Sequence, residues 1–508
     1  MSSFKKILSV LLLTVLFVIL FYDRDWGLNM YIFQLMLLSL PLFSGGINWR
    51  NNNQKTLLIT SFLMSTAAFV NHSVIVFLVS WLSVGLFAAS LSTAKSVSMY
   101  FIIPPAIFAP FEGVYRFVVS VRAELAGRGF PVKKIWRMAI YTGPAVIIVL
   151  FLAMYSNANP AFGKYTASMF SSILNFIELS LDLLDWMIIG LSILGFLLSV
   201  AFLYSRIPNK FIELSISNNG LLNRQKSSSN SKKHLSAAVR QENKTGVFLL
   251  VVLNVMLLIL LTLEVKDVWF GFDYNGVFLK EFVHEGMYIL ILSIFISMGI
   301  VLFYFRGNQN FFSGSKWLRR LTYLWIGLNA ILVLSVAIRN FWYIKYFALA
   351  YKRIGLMFFL VATLIGLWSI YKKVKGVKNT HYLLTVNSLS VYMVLCLMAV
   401  FNWDVIIAKY NFGQSRAMVE LSYMSQLSDK SLPYLVQTEE RLEKMQDLQK
   451  EQLSISSSTF ARNFDTPSDY NNEIDERVSW FKNDWKNKDW LEWNPAQYNA
   501  FKKIAERD

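Results

Sequence analysis

TGVFLLVVLNVMLLILLTL, Thr245–Leu263, decides the fold. As a helix this stretch is about 28 Å long, close to the roughly 30 Å thickness of a bilayer's hydrocarbon core. It is apolar all round, with no polar face to offer water. No water is available in lipid, so each backbone N–H and C=O must be satisfied within the segment, which requires a helix. Arg240 and Lys244 precede the stretch, and Glu264 and Asp267 follow it.

Working outward, ten similar runs accompany it: about 7–22, 28–44, 56–71, 73–92, 138–155, 183–204, 286–305, 321–338, 354–371 and 381–401. The short segments between runs alternate in charge. Lys5 and Lys6, Arg50 and Lys55, the 205–244 segment (Arg206, Lys210, Arg224, Lys226, Lys232, Lys233, Arg240, Lys244), Arg306 to Arg320, and Lys372 to Lys378 are basic. The intervening ones are acidic: Asp23 and Asp25; Glu178, Asp182 and Asp185; Glu264, Asp267 and Asp273. Basic loops stay in the cytoplasm. The expectation is an all-α polytopic bundle in the cytoplasmic (inner) membrane with eleven crossings, N-terminus inside and C-terminus outside. Arg339, Lys345, Lys352 and Arg353 fall on the expected outer side and oppose this scheme mildly.

Residues 97–119 are apolar enough to cross, yet a strongly basic segment (Arg122, Arg128, Lys133, Lys134, Arg137) follows. A crossing here would reverse every later loop. Pro104, Pro105 and Pro110 are expected to interrupt a helix, since proline removes a donor and clashes with the preceding turn. The stretch reads as a re-entrant or interfacial segment, with twelve crossings as the alternative.

Four parts follow: a membrane region 1–204, a basic cytoplasmic linker 205–244 whose QKSSSNSKK stretch (Gln225–Lys233) has the composition of a mobile segment, a membrane region 245–413, and a helical extracytoplasmic part 414–508. In the last, Leu435, Leu442, Met445 and Leu448, then Val478, Phe481 and Trp485, recur at helical spacing. Residues 1–22 resemble a signal peptide, but no small-residue cleavage site precedes Asp23, so a retained anchor is expected. The net charge is +17, but residues 414–508 carry 13 basic against 17 acidic side chains, so the excess flanks the membrane. Its partners are lipid headgroups rather than nucleic acid. One cysteine, Cys396, excludes an intrachain disulfide or a CxxC pair. No phosphate loop, nucleophile elbow, dinucleotide fingerprint or metal constellation is visible, so no cofactor or metal is expected.

Several segments carry a resemblance: Tyr155–Phe162 (YSNANPAF), Glu281–Tyr288 (EFVHEGMY), Tyr343–Gly355, Asn402–Asn411 (NWDVIIAKYN), Val419–Ser428, Leu432-Pro433 and Trp490–Asn494 (WLEWN). In order, over about 138–500, they resemble an uncharacterised bacterial family of multi-pass membrane proteins, catalogued as a domain of unknown function. Trp403 stands where that pattern has Pro, and Lys352 where it has Gly. The resemblance implies a fold and no activity.

Candidate chemistry is sparse. His284 and Glu285 open a span, either as a proton-linked pair or, more plainly, as a helix start with Glu285 at the positive end of the dipole. Glu112 and Arg116 share a helix face at i, i+4 and can neutralise one another at membrane depth. Asn402, Asp404, Lys409, Tyr410 and Asn411 cluster where the last span ends. They read as caps and turns fixing the exit, with a site shared with Arg339 and Tyr351 as the alternative. On the capping reading Asp404→Asn should be mild. His72 and His381 read as interfacial polar residues, and Trp480, Trp485, Trp490 and Trp493 as core or headgroup-level indoles rather than a ligand platform. The leading function is a membrane scaffold or accessory protein engaging an envelope partner through 414–508. A proton-coupled transporter or channel is the first alternative, and a membrane enzyme acting on lipid or glycan carriers the second.

Overall fold

The computed structural model describes residues 3–128, 148, 151–152, 155, 159, 161–164, 185–224, 232–270, 278–414, 417–453 and 466–507, with backbone alone at 232–236, 278–286, 450 and 452–453. Among these, every regular element is helical apart from one isolated bridge, Leu221 to Lys378. Ten of the eleven apolar runs fall on ten helices: α1 Ser3–Phe21, α2 Leu28–Phe43, α3 Asn52–Asn71, α4 Val74–Ser90, α6 Trp186–Tyr204, α8 Lys232–Glu264, α9 Phe278–Tyr304, α10 Lys316–Phe347, α11 Tyr351–Lys375 and α12 Thr380–Ala399. The run at 138–155 lies for the most part outside the described residues. Eight described helices are long and apolar enough to cross a bilayer, namely α1, α6, α8 to α12 and a further helix, Met99–Gly127; α2 and α4 are apolar but shorter, and α3 is not among the eight. Their outward faces remain apolar: on α8, Phe248 is 73 % exposed and Met256 60 %. Such a surface would be an aggregation hazard in water and is ordinary in lipid.

The helices form two bundles. Helices α1–α4, α6 and α5 (Met99–Gly127) pack round Phe33, Leu37, Leu86, Phe87 and Ile102. Helices α8–α11 pack round Leu250, Ile294, Leu318 and Leu332. Helix α12 belongs to both, giving Tyr392, Cys396 and Ala399 to the first core and Leu383 to the second. Its Tyr392 hydroxyl bonds Thr60 Oγ1 on α3 at 2.8 Å and Ser83 Oγ on α4 at 2.9 Å.

The basic segments gather at one pole. There Asn51 and Asn53 bond the carbonyls of Lys95 and Val97, His381 Nδ1 lies 2.7 Å from the Tyr100 hydroxyl, and Leu222 N–H donates to Val377. Both ends of α5 lie at this pole: Tyr100 meets His381, and the Arg128 guanidinium sits over the Phe4 ring. The expected interruption does not occur, because α5 runs continuously through Pro104, Pro105 and Pro110. Ile102, Pro105, Ala109 and Gly113 form a buried stripe at helical spacing, with Gly113 so close to α6 that an added Cβ would meet the Val200 carbonyl. That packing outweighs the roughly 3 kcal/mol per proline.

Two expected boundaries also shift. Helix α8 begins at Lys232, so residues 232–244 of the linker are helical and continuous with the span. Good helix formers such as Ala237, Ala238, Arg240 and Glu242 extend an existing helix at little cost. Helix α9 begins at Phe278, which places His284 and Glu285 in its second turn rather than at its start; their side chains lie outside the described residues.

The opposite pole is capped by the C-terminal region: α7 (Asn209–Ser217) lies at the basic pole, whereas α13 (Trp403–Gly413), α14 (Leu421–Ser425), α15 (Leu432–Leu435), α16 (Glu439–Leu453), α17 (Pro467–Asn487) and α18 (Pro495–Ala505) fold over the other end. The cap has its own core of Ile407, Leu421, Leu432, Leu442, Tyr470 and Phe481, continued into the second bundle by Ala348 and Ile354. Against the first bundle, Arg24 pairs with Asp489 at 2.6 Å and Leu28 N–H donates to the Trp493 carbonyl. Gly27 is required there, since a Cβ would fall on the Glu492 backbone.

Candidate functional site

The densest polar junction is where α13 leaves the membrane bundle. Asp404, in the first turn of α13, favours the positive end of that helix. Its Oδ1 accepts from the Tyr351 hydroxyl at 2.6 Å, and its Oδ2 from Ser428 Oγ at 2.5 Å and Lys430 Nζ at 3.0 Å. Lys430 spends its remaining donors on the carbonyls of Asn71 and His72, at 3.1 and 3.2 Å, where α3 ends. An ammonium has three donors and all are used. The two side chains are buried, 2 % exposed for Lys430 and 9 % for Asp404. Burial alone would push the Asp404 carboxyl up; Lys430 and the bonds from Ser428 and Tyr351 outweigh it and hold the group below the usual carboxylate range. Burial pushes the Lys430 ammonium down, and Asp404 opposes this. The node therefore joins the first bundle, the start of α11 and the cap through one ion pair.

His72 caps α3 in the left-handed region, φ +44°, and stacks on Trp26 with ring centroids 3.9 Å apart. Burial first, then Lys430 and Lys488, push its imidazole down to about 3, so the ring is neutral. A cavity of about 680 Å³ opens beside Trp26, His72, Tyr351, Asp404 and Arg477.

Asn411 grips the turn before α11: its side chain accepts from Leu349 N–H at 2.7 Å and donates to the Leu349 carbonyl at 2.9 Å. Ala348 in that turn has φ +64°, and Arg353 holds it by bonding the Phe347 and Ala348 carbonyls. Asn402 precedes α13 without a side-chain cap bond, so its expected capping role is not seen.

Arg339 does not join this junction. It pairs inside the second bundle with Glu264, Nε to Oε2 at 3.0 Å with a second bond from Nη2, and Ser335 Oγ donates to Oε2 at 2.5 Å. Both charged side chains are under 10 % exposed. Trp269 Nε1 reaches Ser335 Oγ, and Trp342 Nε1 the Val268 carbonyl. Glu264 is followed by a π-helical turn, Val265–Phe270. Glu112 and Arg116 form their ion pair within α5, each about one-third exposed. Among the described residues no group of three or more His, Cys, Asp or Glu is poised for a metal.

Sequence reasoning brought Tyr351, Asp404 and Asn411 to this region but missed Ser428, Lys430 and Glu264. Glu264 was legible as a carboxylate ending an apolar run across from Arg339. Lys430 was one lysine among many.

A family model for a domain of unknown function, DUF4153, matches residues 2–438. The chain belongs to this family. The match covers both bundles and the Asp404 node and ends before α16, so the Trp490–Asn494 segment lies beyond it. Comparisons with curated proteins and with solved structures each found no match.

Proposed function

We propose that this DUF4153 member is a multi-pass scaffold or accessory protein of the inner membrane, its basic pole cytoplasmic and its cap outside. The observation that carries the reading is the Asp404 node, because one buried ion pair fixes the cap to both bundles at once. Positive-inside bias supports the orientation. Trp480 and Trp490, 61 and 68 % exposed, offer the anchors a partner surface uses. Placing a photocrosslinking residue at Trp480 in cells should give one discrete adduct with an envelope protein, lost when Asp404→Ala undocks the cap. A cytoplasm-only reporter active at Ser456 would sink the orientation, and absence of any adduct would sink the partner role.

A second reading, a proton-coupled carrier, draws on Glu264 and Arg339, since intramembrane charges beside a π-turn occur in coupling sites. Substrate accumulation by liposomes that Glu264→Gln abolishes would move this reading to first place.

A further inference from the structure

Behind the Asp404 node, a second cavity of about 300 Å³ lies between the end of α3, α13, α15 and α18. Three lysines line it, Lys409, Lys430 and Lys503, and no carboxylate does. Lys430 is committed to Asp404 and the α3 carbonyls. Lys409 and Lys503 are not: they approach the Tyr434 ring from different helices, 4.7 and 4.9 Å from its centroid, and Lys503 also bonds the Tyr434 hydroxyl. Neither has a carboxylate partner among the described residues. Two ammonium groups converging on one phenol without a counter-anion concentrate positive potential at that point. Its imprint is on Tyr434: burial would raise the phenol, yet the Lys503 bond and the charges of both lysines bring it below the ordinary value.

The other walls suit an anion. The first turn of α18, at Pro495 and Ala496, lines the cavity; Pro495 has no N–H and Asn494 takes that of Gln497, so the backbone donor there is the Ala496 amide at the positive end of the helix. Asn71 and Asn499 add side-chain amides. Depth is set by Asn71, whose amide bonds the Val400 carbonyl just past α12, so the cavity sits where the last span ends. A phospholipid's phosphate lies at that level.

We propose that Lys409, Lys503 and Tyr434 form a phosphate-binding site at the capped pole, taking the phosphate of an anionic phospholipid headgroup or free phosphate. The test uses the full chain in detergent, with unfolding followed by tryptophan fluorescence. Dioleoylphosphatidylglycerol, dioleoylphosphatidylcholine and inorganic phosphate are titrated in turn at constant ionic strength. Phosphatidylglycerol should raise the midpoint saturably and phosphatidylcholine should not. A matching effect of inorganic phosphate assigns the site to the phosphate itself, and no effect assigns it to the lipid headgroup; both support the site. Lys409→Gln and Lys503→Gln should each weaken the effect about tenfold, as losing one charge-assisted bond does. Lys409→Arg should retain it, and Lys502→Gln, one residue from Lys503 but paired with Glu506, should leave it unchanged. Equal stabilisation by both lipids, or equal weakening by Lys502→Gln and Lys503→Gln, would overturn the proposal in favour of diffuse charge.

Discussion

Glu264–Arg339 and Asp404–Lys430 are both buried ion pairs, yet they are built for different surroundings. The first joins two helices of one bundle beside Trp269 and Trp342, with Ser335 donating to the same Glu264 oxygen that Arg339 Nε reaches. The second is a node: Asp404 reaches α11 and the cap, Lys430 reaches the end of α3, and a cavity of about 680 Å³ lies alongside. A pair enclosed in apolar packing contributes little net stability but is costly to break, because the survivor cannot be hydrated. A node beside a cavity can recruit water. Enclosure, rather than distance between charges, should rank the damage.

The largest effect is expected from Arg339→Met, which strands the Glu264 carboxylate. The loss should be about 3–5 kcal/mol. Arg339→Met combined with Glu264→Leu should recover most of it, since neither charge then needs a partner. Thermal unfolding in lipid nanodiscs measures both. A single variant no worse than the double would mean that water reaches Glu264, and the contrast with the node would fail.

Next comes Asp404→Asn. On the capping reading an amide would suffice, but Lys430 changes the expectation, because an amide leaves that ammonium without its counter-charge. The cost should be about 1.5–3 kcal/mol, the range for bonds to charged groups, with Asp404→Ala slightly worse. Release of the cap to protease, scored beside unfolding, locates the damage. A loss as large as that of Arg339→Met would show the node to be as dry as the bundle.

The sequence made the membrane architecture legible because run length and loop charge are each direct physical requirements of a bilayer. Loops as far apart as 48–54 and 376–379 lie at one pole as the charge pattern required. The node was half legible. Asp404 and Asn411 stand out because polar residues crowd directly after Phe401, but Lys430 lies 26 positions later amid ordinary surface charge, and only folding brings it to the ends of α3 and α13. Prolines misled for a related reason: the local cost at Pro104, Pro105 and Pro110 is visible in sequence, whereas the compensating contact of α5 with α6 at Val200 is not.

Acid should separate the two pairs through His72. Its imidazole is neutral in the fold down to about pH 3 but protonates near 6.5 when unfolded. Between those values the unfolded chain holds the extra proton, so stability is complete above about pH 6.5 and falls as pH drops, by up to about 1.4 kcal/mol per pH unit. Asp404, also depressed, adds its loss only below its ordinary value of 3.8. His72→Asn, which tolerates the left-handed φ, should flatten the slope between pH 6 and 4.5 without altering the Arg339→Met effect. A slope unchanged in His72→Asn would place the titrating group elsewhere.

The smallest expected effect tests whether the cap's own fold and its docking are separable. Thr466 caps α17, accepting from Asp469 N–H at 3.1 Å at the edge of the cap. Thr466→Ala removes that bond and should cost about 1 kcal/mol. The docking contacts of the cap (Lys430 on α3, Asp404 on Tyr351, Glu492 and Trp493 on the α1–α2 turn) involve other residues, so they should persist. Hydrogen exchange should therefore quicken in the first turns of α17 and stay unchanged at Leu28 and Leu349, whose N–H groups report docking on each bundle. In Asp404→Ala the pattern should invert, with Leu28 and Leu349 losing protection before α17 does. If Thr466→Ala instead loosens all three sites together, cap and docking form one cooperative unit, and the node is only the part of it that carries charge.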